Sequence, residues 1–244
     1  MLFRSIPYVG TGVLGSAVSM DKGVAKQVLA ANGIQQPEFR TLRDSQVTDA
    51  ALRAIADDLG FPIFVKPANM GSSVGITKAK NAEELRRAVD TALTYDEWVV
   101  FEESVRGREI EVAVLGNLTA KASVPGEIVP SREFYDYEDK YLGDGAQLIV
   151  PARLSPEETT AVQQLAIVIF HTLRAEGMAR VDFFYEEGGR GFLCNEINTI
   201  PGFTPISMYP KLWQASGLTY SRLLDELIEL ALERHARRRR NTAR

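Results

Sequence analysis

Two apolar runs separated by a glycine-rich turn constrain this chain of 244 residues more than any other feature. The first run, residues 178–185, reads Met-Ala-Arg-Val-Asp-Phe-Phe-Tyr, and the second, residues 192–198, reads Phe-Leu-Cys-Asn-Glu-Ile-Asn. Between them lies a turn rich in glycine, the residue that adopts positive φ most readily. The pattern predicts a β-hairpin.

Three oxygen-bearing side chains converge in this hairpin if its turn centres on Gly189. Antiparallel pairing then places Asp182 opposite Glu196, and the two-residue period of a strand puts Asn198 on the same face as Glu196. Facing carboxylates repel each other unless a cation joins them, and oxygen-only ligands select a hard cation such as Mg²⁺ or Mn²⁺. We therefore interpret these three residues as metal ligands. The alternative is that they solvate an exposed strand face, and a turn centred one residue away would break the pairing.

The composition predicts an ordinary globular protein, with 45% hydrophobic and 25% charged residues. The length allows two lobes of roughly 100 residues each. There is no run of 18 apolar residues and no secretory signal, and the single cysteine, Cys194, suits a reducing compartment. We therefore expect a cytoplasmic protein without a membrane partner. Strict alternation places Cys194 on the Glu196 face of its strand, as a small apolar filler.

Charge and histidine content narrow the function further. The net charge is −4 although six arginines and no acid follow Glu233, so the rest of the chain is acidic, which argues against nucleic acid as the main ligand. We interpret residues 234–244 as a basic tail that forms a solvated helix end, with polyanion binding as the alternative. The two histidines, His171 and His235, are too few for a zinc site and poorly placed for a Ser–His–Asp triad.

A strand followed by a flexible loop forms a candidate phosphate site. Residues 61–67 predict a buried strand in which Pro67 keeps Lys66 extended. Residues 68–75 read Ala-Asn-Met-Gly-Ser-Ser-Val-Gly. They predict a loop whose N–H and hydroxyl groups can wrap phosphate oxygens, although the Gly-Lys-Ser/Thr ending of a Walker A loop is missing. Lys22, in the first turn of an earlier helix, is either a surface residue or a phosphate contact.

Two further glutamates are candidate nucleotide ligands. Residues 98–103 predict a strand that ends near Glu102, whose carboxylate can accept a hydrogen bond from an adenine amino group. Glu109, seven residues later, can accept hydrogen bonds from ribose hydroxyls. The alternative is that both glutamates belong to a solvated outer face.

The second half of the chain combines a long aperiodic segment with two helices. Residues 131–145 hold three tyrosines and a phenylalanine, which favours a docking lid over a disordered loop. Ser155 begins a helix that leads into the hairpin. The last helix is predicted over residues 220–233, with an inward stripe of Leu223, Leu224, Leu227, Ile228 and Leu232.

The order of these motifs resembles that of ATP-grasp enzymes and, more narrowly, of the D-alanine–D-alanine ligase family. The resemblance runs from Pro7 to about Glu233. It rests on Lys66 with its Gly-Ser-Ser-Val-Gly loop, Glu102 and Glu109, the tyrosine-rich lid, Arg180-Val-Asp182, and Asn195-Glu196-Ile-Asn198 followed by Pro201-Gly202. It implies an α+β ATP-grasp fold in which two lobes with mostly antiparallel sheets and flanking helices clamp ATP, and two Mg²⁺ or Mn²⁺ ions bridge its phosphates.

The resemblance also divides the chain. Residues 1–17 would be a remnant or linker from a missing N-terminal domain, 18–105 the small lobe, 106–233 the C-terminal lobe with the metal site and the lid, and 234–244 the tail. In the family the N-terminal domain supplies the acid that holds the ammonium of the first D-alanine. We therefore expect a truncated ligase in which that site is incomplete, and a possible homodimer.

Residue roles follow from the resemblance, position by position. For ATP they are Lys22 and Lys66 at the phosphates, Ser72 and Ser73 in the loop over them, Glu102, Glu103 and Val105 at the adenine edge, Glu109 at the ribose and Lys140 in the lid. Asp182, Glu196 and Asn198 would bind the metal. For catalysis they are Arg180 and the Gly202 N–H, which would stabilise the charge on the reacting carboxylate, with Ser72 and Tyr141 as a linked pair. Ser207 and Met208 would receive the carboxylate of the second substrate.

The activity implied is the ATP-dependent joining of two D-alanines for peptidoglycan. ATP would phosphorylate one carboxylate to an acyl phosphate, and the amine of the second D-alanine would displace phosphate, by positioning and charge neutralisation without a protein nucleophile. Tyr141 resembles the lid tyrosine of the alanine-specific ligases and favours the dipeptide product. Two alternatives stay open: an ATP-grasp ligase for another amino or hydroxy acid, and a nucleotide-binding module without catalysis.

Overall fold

The computed structural model describes residues 6–129, 147–204 and 206–239. The lid segment 131–145, with Lys140 and Tyr141, therefore lies outside the described residues. Two sheets with flanking helices make up the described parts, and their strand pairings are antiparallel. This confirms the predicted α+β class.

The smaller sheet has four strands in the order β1-β4-β2-β3. Their bounds are β1 Phe39–Arg43, β2 Ile63–Pro67, β3 Thr77–Ala79 and β4 Trp98–Glu103, and the helices between them are α3 Asp49–Leu59 and α4 Ala82–Leu93. Both helices begin at a capping side chain: Thr48 accepts from the Ala51 N–H, and Asn81 accepts from the Glu84 N–H. Their apolar stripes form one core with the sheet.

The larger sheet has the order β10-β9-β5-β7-β8, with β6 paired to β5. Its strands are β5 Arg108–Gly116, β6 Ala120–Ala122, β7 Gly126–Val129, β8 Gln147–Ile149, β9 Gly177–Glu186 and β10 Gly191–Asn198. Helix α5, Pro156–Thr172, begins at a capping box formed by Ser155 and Glu158, as the sequence predicts, and covers one face. Helices α6, Met208–Ala215, and α7, Tyr220–Arg239, cover the opposite face.

The first two helices pack against the larger sheet. They are α1 Val13–Met20 and α2 Lys22–Ala31. Ala25 and Leu29 of α2 are buried in the same core as Val112 of β5 and Val162 of α5. The prediction assigned residues 18–105 to the small lobe, whereas this packing joins α2 to the core of the larger sheet. Helix α2 therefore lies at the junction of the two sheets.

The C-terminal arginines continue a helix, as predicted, and Arg238 is exposed, but Arg234 is not solvated. Helix α7 continues to Arg239, six residues past the predicted end. Arg234 is only 3% exposed; it donates to the carbonyl oxygens of Tyr8 and Gly10 and lies over the Tyr8 ring at 4.1 Å. Residues 8–10 are thus attached to the body of the protein through α7, a contact that a reading of the arginines as a solvated charge run does not predict.

The predicted inward stripe of α7 is wrong at three positions. Leu223 and Leu227 are buried, whereas Leu224, Ile228 and Leu232 are 39%, 55% and 54% exposed. Neighbouring residues on a helix point about 100° apart, so Leu223 and Leu227 form one stripe, and Leu224, Ile228 and Leu232 form another. The core beneath the helix covers only the first stripe. Within the described residues, no helix is both long and apolar enough to cross a membrane.

Candidate active site

The β9–β10 hairpin brings the predicted metal ligands together through a change of register. From the turn to Cys194, which pairs with Phe183, the strands keep one register; it then shifts, so that Glu196 pairs with Asp182. The predicted facing of Asp182 and Glu196 is therefore confirmed. The predicted turn centre is wrong, because the register beside the turn corresponds to a centre half a residue before Gly189.

A bulge at Asn195 accounts for the difference. One extra residue in β10 restores the pairing of the acids and breaks the strict alternation of side chains. Asn195 and Glu196 both line the cleft described below, whereas Cys194 lies in the core with Phe183. The prediction that Cys194 shares the Glu196 face is therefore wrong, and its identification as a buried apolar filler is right.

The side chains of Arg180, Asp182, Glu196 and Asn198 form a cluster linked by hydrogen bonds. Arg180 donates from Nε and Nη2 to the two oxygens of Asp182, both at 2.7 Å. Asn198 Nδ2 lies 2.9 Å from Asp182 Oδ2 and 3.4 Å from Glu196 Oε1. Three residues predicted from the sequence as ligands thus occupy one patch, together with the arginine predicted as catalytic.

The donor set fits a hard divalent cation. Two carboxylates and an amide supply oxygen donors alone, provided that the Asn198 amide turns so that its oxygen replaces Nδ2, and that Arg180 releases the Asp182 oxygen that a cation would take. The described residues hold no group of three or more His, Cys, Asp and Glu side chains arranged as a metal site. The fit therefore depends on the asparagine, and the metal role stays a prediction.

Glu111 joins this cluster although the sequence reasoning did not select it. It lies on β5 directly opposite Asp182 on β9, is 5% exposed, and its Oε2 is 3.1 Å from Arg180 Nε. Burial alone would lower the pKa of Arg180, but Asp182 and Glu111 together raise that pKa well above its usual value. Glu111 can thus keep Arg180 in place when Asp182 turns to another partner. The only sequence feature that pointed to Glu111 was the alternation of apolar residues with other residues along β5.

A cleft of about 370 Å³ lies between the two sheets. Nine of the predicted residues line it: Lys22, Lys66, Ser72, Ser73, Glu102, Glu103, Val105, Glu109 and Glu196. A smaller adjoining cavity of about 210 Å³ shares Lys22 and Glu196 with it and adds Asn198. The cleft and the cluster of Asp182, Glu196 and Asn198 therefore meet at Glu196.

The loop after β2 has an unusual backbone. Ser72 and Ser73 both have positive φ, 53 and 60 degrees respectively. These values lie in the left-handed region that non-glycine residues rarely adopt. Lys22 Nζ donates to the Met70 carbonyl at the start of this loop and lies 3.9 Å from Glu196 Oε2. The geometry favours a cleft contact for Lys22 over the surface alternative.

Glu102 is the centre of a buried cluster of charges. Its Oε2 accepts from Lys66 Nζ at 2.7 Å, and its Oε1 is 3.3 Å from Nζ of Lys26, a residue that was not predicted. Burial opposes ionisation of Glu102, but the two ammonium groups bring its pKa below its ordinary value. Because its oxygens face lysines, the predicted contact with an adenine amino group stays a prediction. Lys22 and Lys26 lie one turn apart on α2. This spacing was the only sequence feature that could have indicated that Lys26 is near the site.

Glu103 connects the two sheets at the rim of the cleft. Its Oε1 accepts from the backbone N–H of Glu38 at 2.8 Å and from Arg190 at 2.6 Å. Arg190 is the last residue of the hairpin turn and also binds Glu186. The Glu103 side chain is therefore engaged across the rim, which leaves its backbone, with that of Val105, as the groups available for the predicted adenine contact.

Ser207 and Met208, which are predicted to bind the carboxylate of the second substrate, lie at the start of α6. Ser207 Oγ is 3.0 Å from the Thr204 backbone N, and a Cβ added at Gly202 would come within 2.8 Å of that Oγ, so a larger residue at position 202 would displace the Ser207 hydroxyl. Met208 is 4% exposed and packs in the core under α6. Its side chain therefore cannot receive a carboxylate, although its backbone N–H lies at the start of the helix.

Comparison with known proteins gives one family. The family model described as D-ala D-ala ligase C-terminus matches residues 28–229, which is more than half of the chain. The chain is 52% identical over 232 residues to the D-alanine–D-alanine ligase of Solibacter usitatus, covering 94% of this chain and 70% of that protein. It is 53% identical over 231 residues to D-alanine–D-alanine ligase A of Chromobacterium violaceum, covering 94% of this chain and 63% of that protein.

Solved structures agree with the sequence relatives. The D-alanine-D-alanine ligase from Coxiella burnetii superimposes with a TM-score of 0.87 at 43% identity, covering 97% of this chain and 63% of that one. The VanG D-Ala:D-Ser ligase from Enterococcus faecalis gives 0.85 at 38% identity, covering 93% and 66%. The chain thus spans roughly two thirds of the length of its relatives. Because both the fold and half of the aligned residues are shared, the chain belongs to the D-alanine–D-alanine ligase family, within the ATP-grasp enzymes, which use ATP with a divalent metal.

Proposed function

We propose that this chain carries out the ATP-dependent ligation of two D-alanines to D-alanyl-D-alanine for peptidoglycan, with ADP and phosphate as the other products. The observation that carries the proposal is the meeting of the inter-sheet cleft with the Asp182, Glu196 and Asn198 cluster at Glu196. A nucleotide in the cleft would have its phosphates beside this cluster. The names of the relatives, which are about 50% identical, support the choice of substrate.

The cleft offers groups suited to each part of ATP. Lys22 and Lys66 carry positive charge beside the loop of Ser72 and Ser73, where polyphosphate oxygens can accept from ammonium, hydroxyl and backbone N–H groups. The other predicted contacts also line this cleft: the backbones of Glu103 and Val105 for adenine, and Glu109 for the ribose.

The metal cluster would act on the same phosphates. A divalent cation held by Asp182, Glu196 and Asn198 would neutralise charge on the transferred phosphoryl group. We favour Mg²⁺ or Mn²⁺ because the donors are oxygen atoms, and two ions because the family resemblance implies them. Arg180 would leave Asp182 for the reacting carboxylate, with Glu111 keeping the guanidinium in position. The Gly202 N–H and Ser207 would orient the second amino acid.

The first test is nucleotide binding followed by product analysis. We expect ATP binding to depend on Mg²⁺. Incubation with ATP, Mg²⁺ and D-alanine should give dipeptide and phosphate in equal amounts, measured by mass spectrometry and a phosphate assay, but more slowly than with a full-length relative, of whose length this chain spans about two thirds. An Arg180→Met variant should bind ATP and lose most of the dipeptide. Absence of ATP binding by the wild-type chain, or equal product from the variant, would contradict the proposal.

A second product is supported by one comparison. The similarity to a D-Ala:D-Ser ligase makes D-serine a candidate second substrate. Competition among D-alanine, D-serine and D-lactate in one reaction separates these possibilities, and we expect D-alanyl-D-alanine to dominate. Preferential formation of a D-serine product or a depsipeptide would overturn the assignment. A cytoplasmic location and a homodimer stay predictions, the second being testable by light scattering.

A further inference from the structure

Three buried, charged side chains lie at the floor of the cleft and directly behind it. Lys26, Glu102 and Lys66 are 2%, 2% and 7% exposed. The Glu102 carboxylate lies between the two ammonium groups, with Lys26 Nζ 3.3 Å from Oε1 and Lys66 Nζ 2.7 Å from Oε2. Lys66 Nζ also lies 3.4 Å from Asn195 Oδ1 at the bulge of β10. The group joins α2, β2 and β4.

Lys26 gives the cluster its net positive charge. Glu102 and Lys66 line the cleft, and by themselves they would form a neutral pair. Lys26 lies beside the smaller adjoining cavity and reaches Glu102 from α2. Because one carboxylate is shared by two ammonium groups, the three side chains together carry one net positive charge. In a poorly solvated site that charge is weakly screened, so it acts on any anion bound above it.

We propose that Lys26 is a positioning residue that makes the cleft selective for the charge of the nucleotide: by binding Glu102, it leaves the charge of Lys66 available to the polyphosphate. This rests on the proposed nucleotide binding and adds a specificity determinant to it. Lys26 itself would not touch the nucleotide. Its contribution therefore applies to the phosphates and not to the nucleoside.

A purely structural role for Lys26 makes a different prediction. Its Nζ lies 5.5 Å from the centre of the Phe39 ring, and its stem is buried, so its loss could simply loosen α2. Burial lowers the pKa of Lys26 while Glu102 opposes that effect. If replacing Lys26 only loosened the site, binding of all three ligands would weaken equally. If Lys26 were uncharged, its replacement would leave the effect of charge on nucleotide binding unchanged. A charge effect would scale with the number of phosphates.

The experiment compares ATP, ADP and adenosine on four variants and the wild-type chain. The variants are Lys26→Met, Lys26→Arg, Glu102→Gln, and the double variant of Lys26→Met with Glu102→Gln. Dissociation constants are measured at one fixed, saturating concentration of Mg²⁺, by calorimetry for the nucleotides and ligand-observed NMR for adenosine. The quantity compared is the adenosine-to-ATP ratio of dissociation constants, because any loss of adenine contacts cancels in that ratio.

The net charge of the cluster predicts the order of the ratios. Lys26→Met should lower the ratio on the order of tenfold, with ADP intermediate, and Lys26→Arg should keep it near wild type. Glu102→Gln should raise it, and the double variant, which again has one net positive charge, should return it close to wild type. If Lys26 had only a structural role, the double variant, which lacks both Lys26 and Glu102, would not recover the wild-type ratio.

Several outcomes would overturn the inference. These are an unchanged ratio in Lys26→Met, an equal loss for all three ligands, and a double variant with a lower ratio than Lys26→Met. Where Lys26→Met fails to fold, the comparison of Glu102→Gln with the double variant tests the same charge. A wild-type chain that binds no ATP would overturn the proposed function as well, whereas wild-type binding with an unchanged Lys26→Met ratio removes only this inference.

Discussion

Asp182 on β9 faces Glu196 on β10 because β10 bulges at the residue between Cys194 and Glu196. The bulge turns two consecutive side chains, Asn195 and Glu196, toward the cleft. It thereby brings Glu196 to Asn198 and Asp182 while Asn195 reaches Lys66. One inserted residue therefore positions both Glu196, a candidate metal ligand, and Asn195, a partner of Lys66, the candidate phosphate ligand.

The first prediction concerns the metal. Asp182→Asn and Glu196→Gln should each weaken Mn²⁺ binding in the presence of ATP by at least about tenfold, because each removes one anionic oxygen donor. Binding is measured by electron paramagnetic resonance of free Mn²⁺. The matched control is Glu229→Gln, an exposed acid on α7 away from the cleft, which should bind Mn²⁺ as wild type does. Unchanged binding in both cluster variants would refute the metal assignment.

Much of the fold could be predicted from the sequence because its signals are local. Strand β4 coincides with its predicted bounds, and the capping box at Ser155 marks the start of α5. The pairing of Asp182 with Glu196 was also predicted, although a symmetric turn gives no sign of the bulge that produces it. A bulge depends on how a strand meets its neighbours, which the sequence of one hairpin does not encode.

Other residues were missed because tertiary packing changed their usual behaviour. Lysine and arginine are rarely fully buried, so Lys26 was not selected, and Arg234 was assigned to a solvated run of charge. Both are buried because each is bound to oxygen atoms, Lys26 to a carboxylate and Arg234 to two carbonyls. The partners come from segments 76 and more than 200 residues away, beyond the reach of any local pattern.

The second prediction concerns Arg234. Replacing it by Met should lower the free energy of unfolding by about 2–4 kcal/mol, because two carbonyl oxygens lose charged donors inside the protein. Urea unfolding followed by circular dichroism measures the loss. The control is Arg222→Met, at an exposed position of the same helix. Surface substitutions of this kind change stability by about 0.5 kcal/mol or less. Equal losses of stability in the two variants would mean that Arg234 is solvated, as the sequence predicted.

The third prediction separates the two apolar stripes of α7. Leu227→Ala should cost about 2–5 kcal/mol because it leaves a cavity in the core. Ile228 is 55% exposed. Ile228→Ala should therefore cost less, about 1 kcal/mol at most. The same urea experiment compares them, and the substitutions remove similar side chains from adjacent positions. A loss of stability at Ile228 as large as that at Leu227 would mean that the exposed stripe is covered in solution.

The fourth prediction concerns the single thiol. Burial raises the pKa of Cys194 to about 12, so at about pH 8 the side chain is a protonated thiol enclosed in the core. Reaction with a disulfide reagent should therefore be at least about a hundredfold slower in the native chain than in urea, since modification needs the core to open. Absorbance of the released thiolate follows the reaction. Rapid labelling of the native chain at that pH would show that the core under the bulge is open.

The last prediction is a pH dependence at the base of β5. Glu127 forms two hydrogen bonds with Arg108, both at 2.8 Å, and these lower the pKa of Glu127 below its ordinary value of 4.5. A lowered acid pKa in the folded state stabilises the fold above the ordinary value, and this contribution is lost as the pH falls through the folded-state pKa. Glu127→Gln should therefore lower the free energy of unfolding by about 1–3 kcal/mol near neutral pH, and the gap to wild type should narrow below about pH 4.

Urea unfolding across this pH range measures the gap for Glu127→Gln. The control is Glu83→Gln, which comes from an exposed pair with Arg87 and should show almost no gap. A gap that stays constant as the pH falls would mean that ionised Glu127 does not stabilise the fold, and that Arg108 is held instead by its bond to the Arg153 carbonyl.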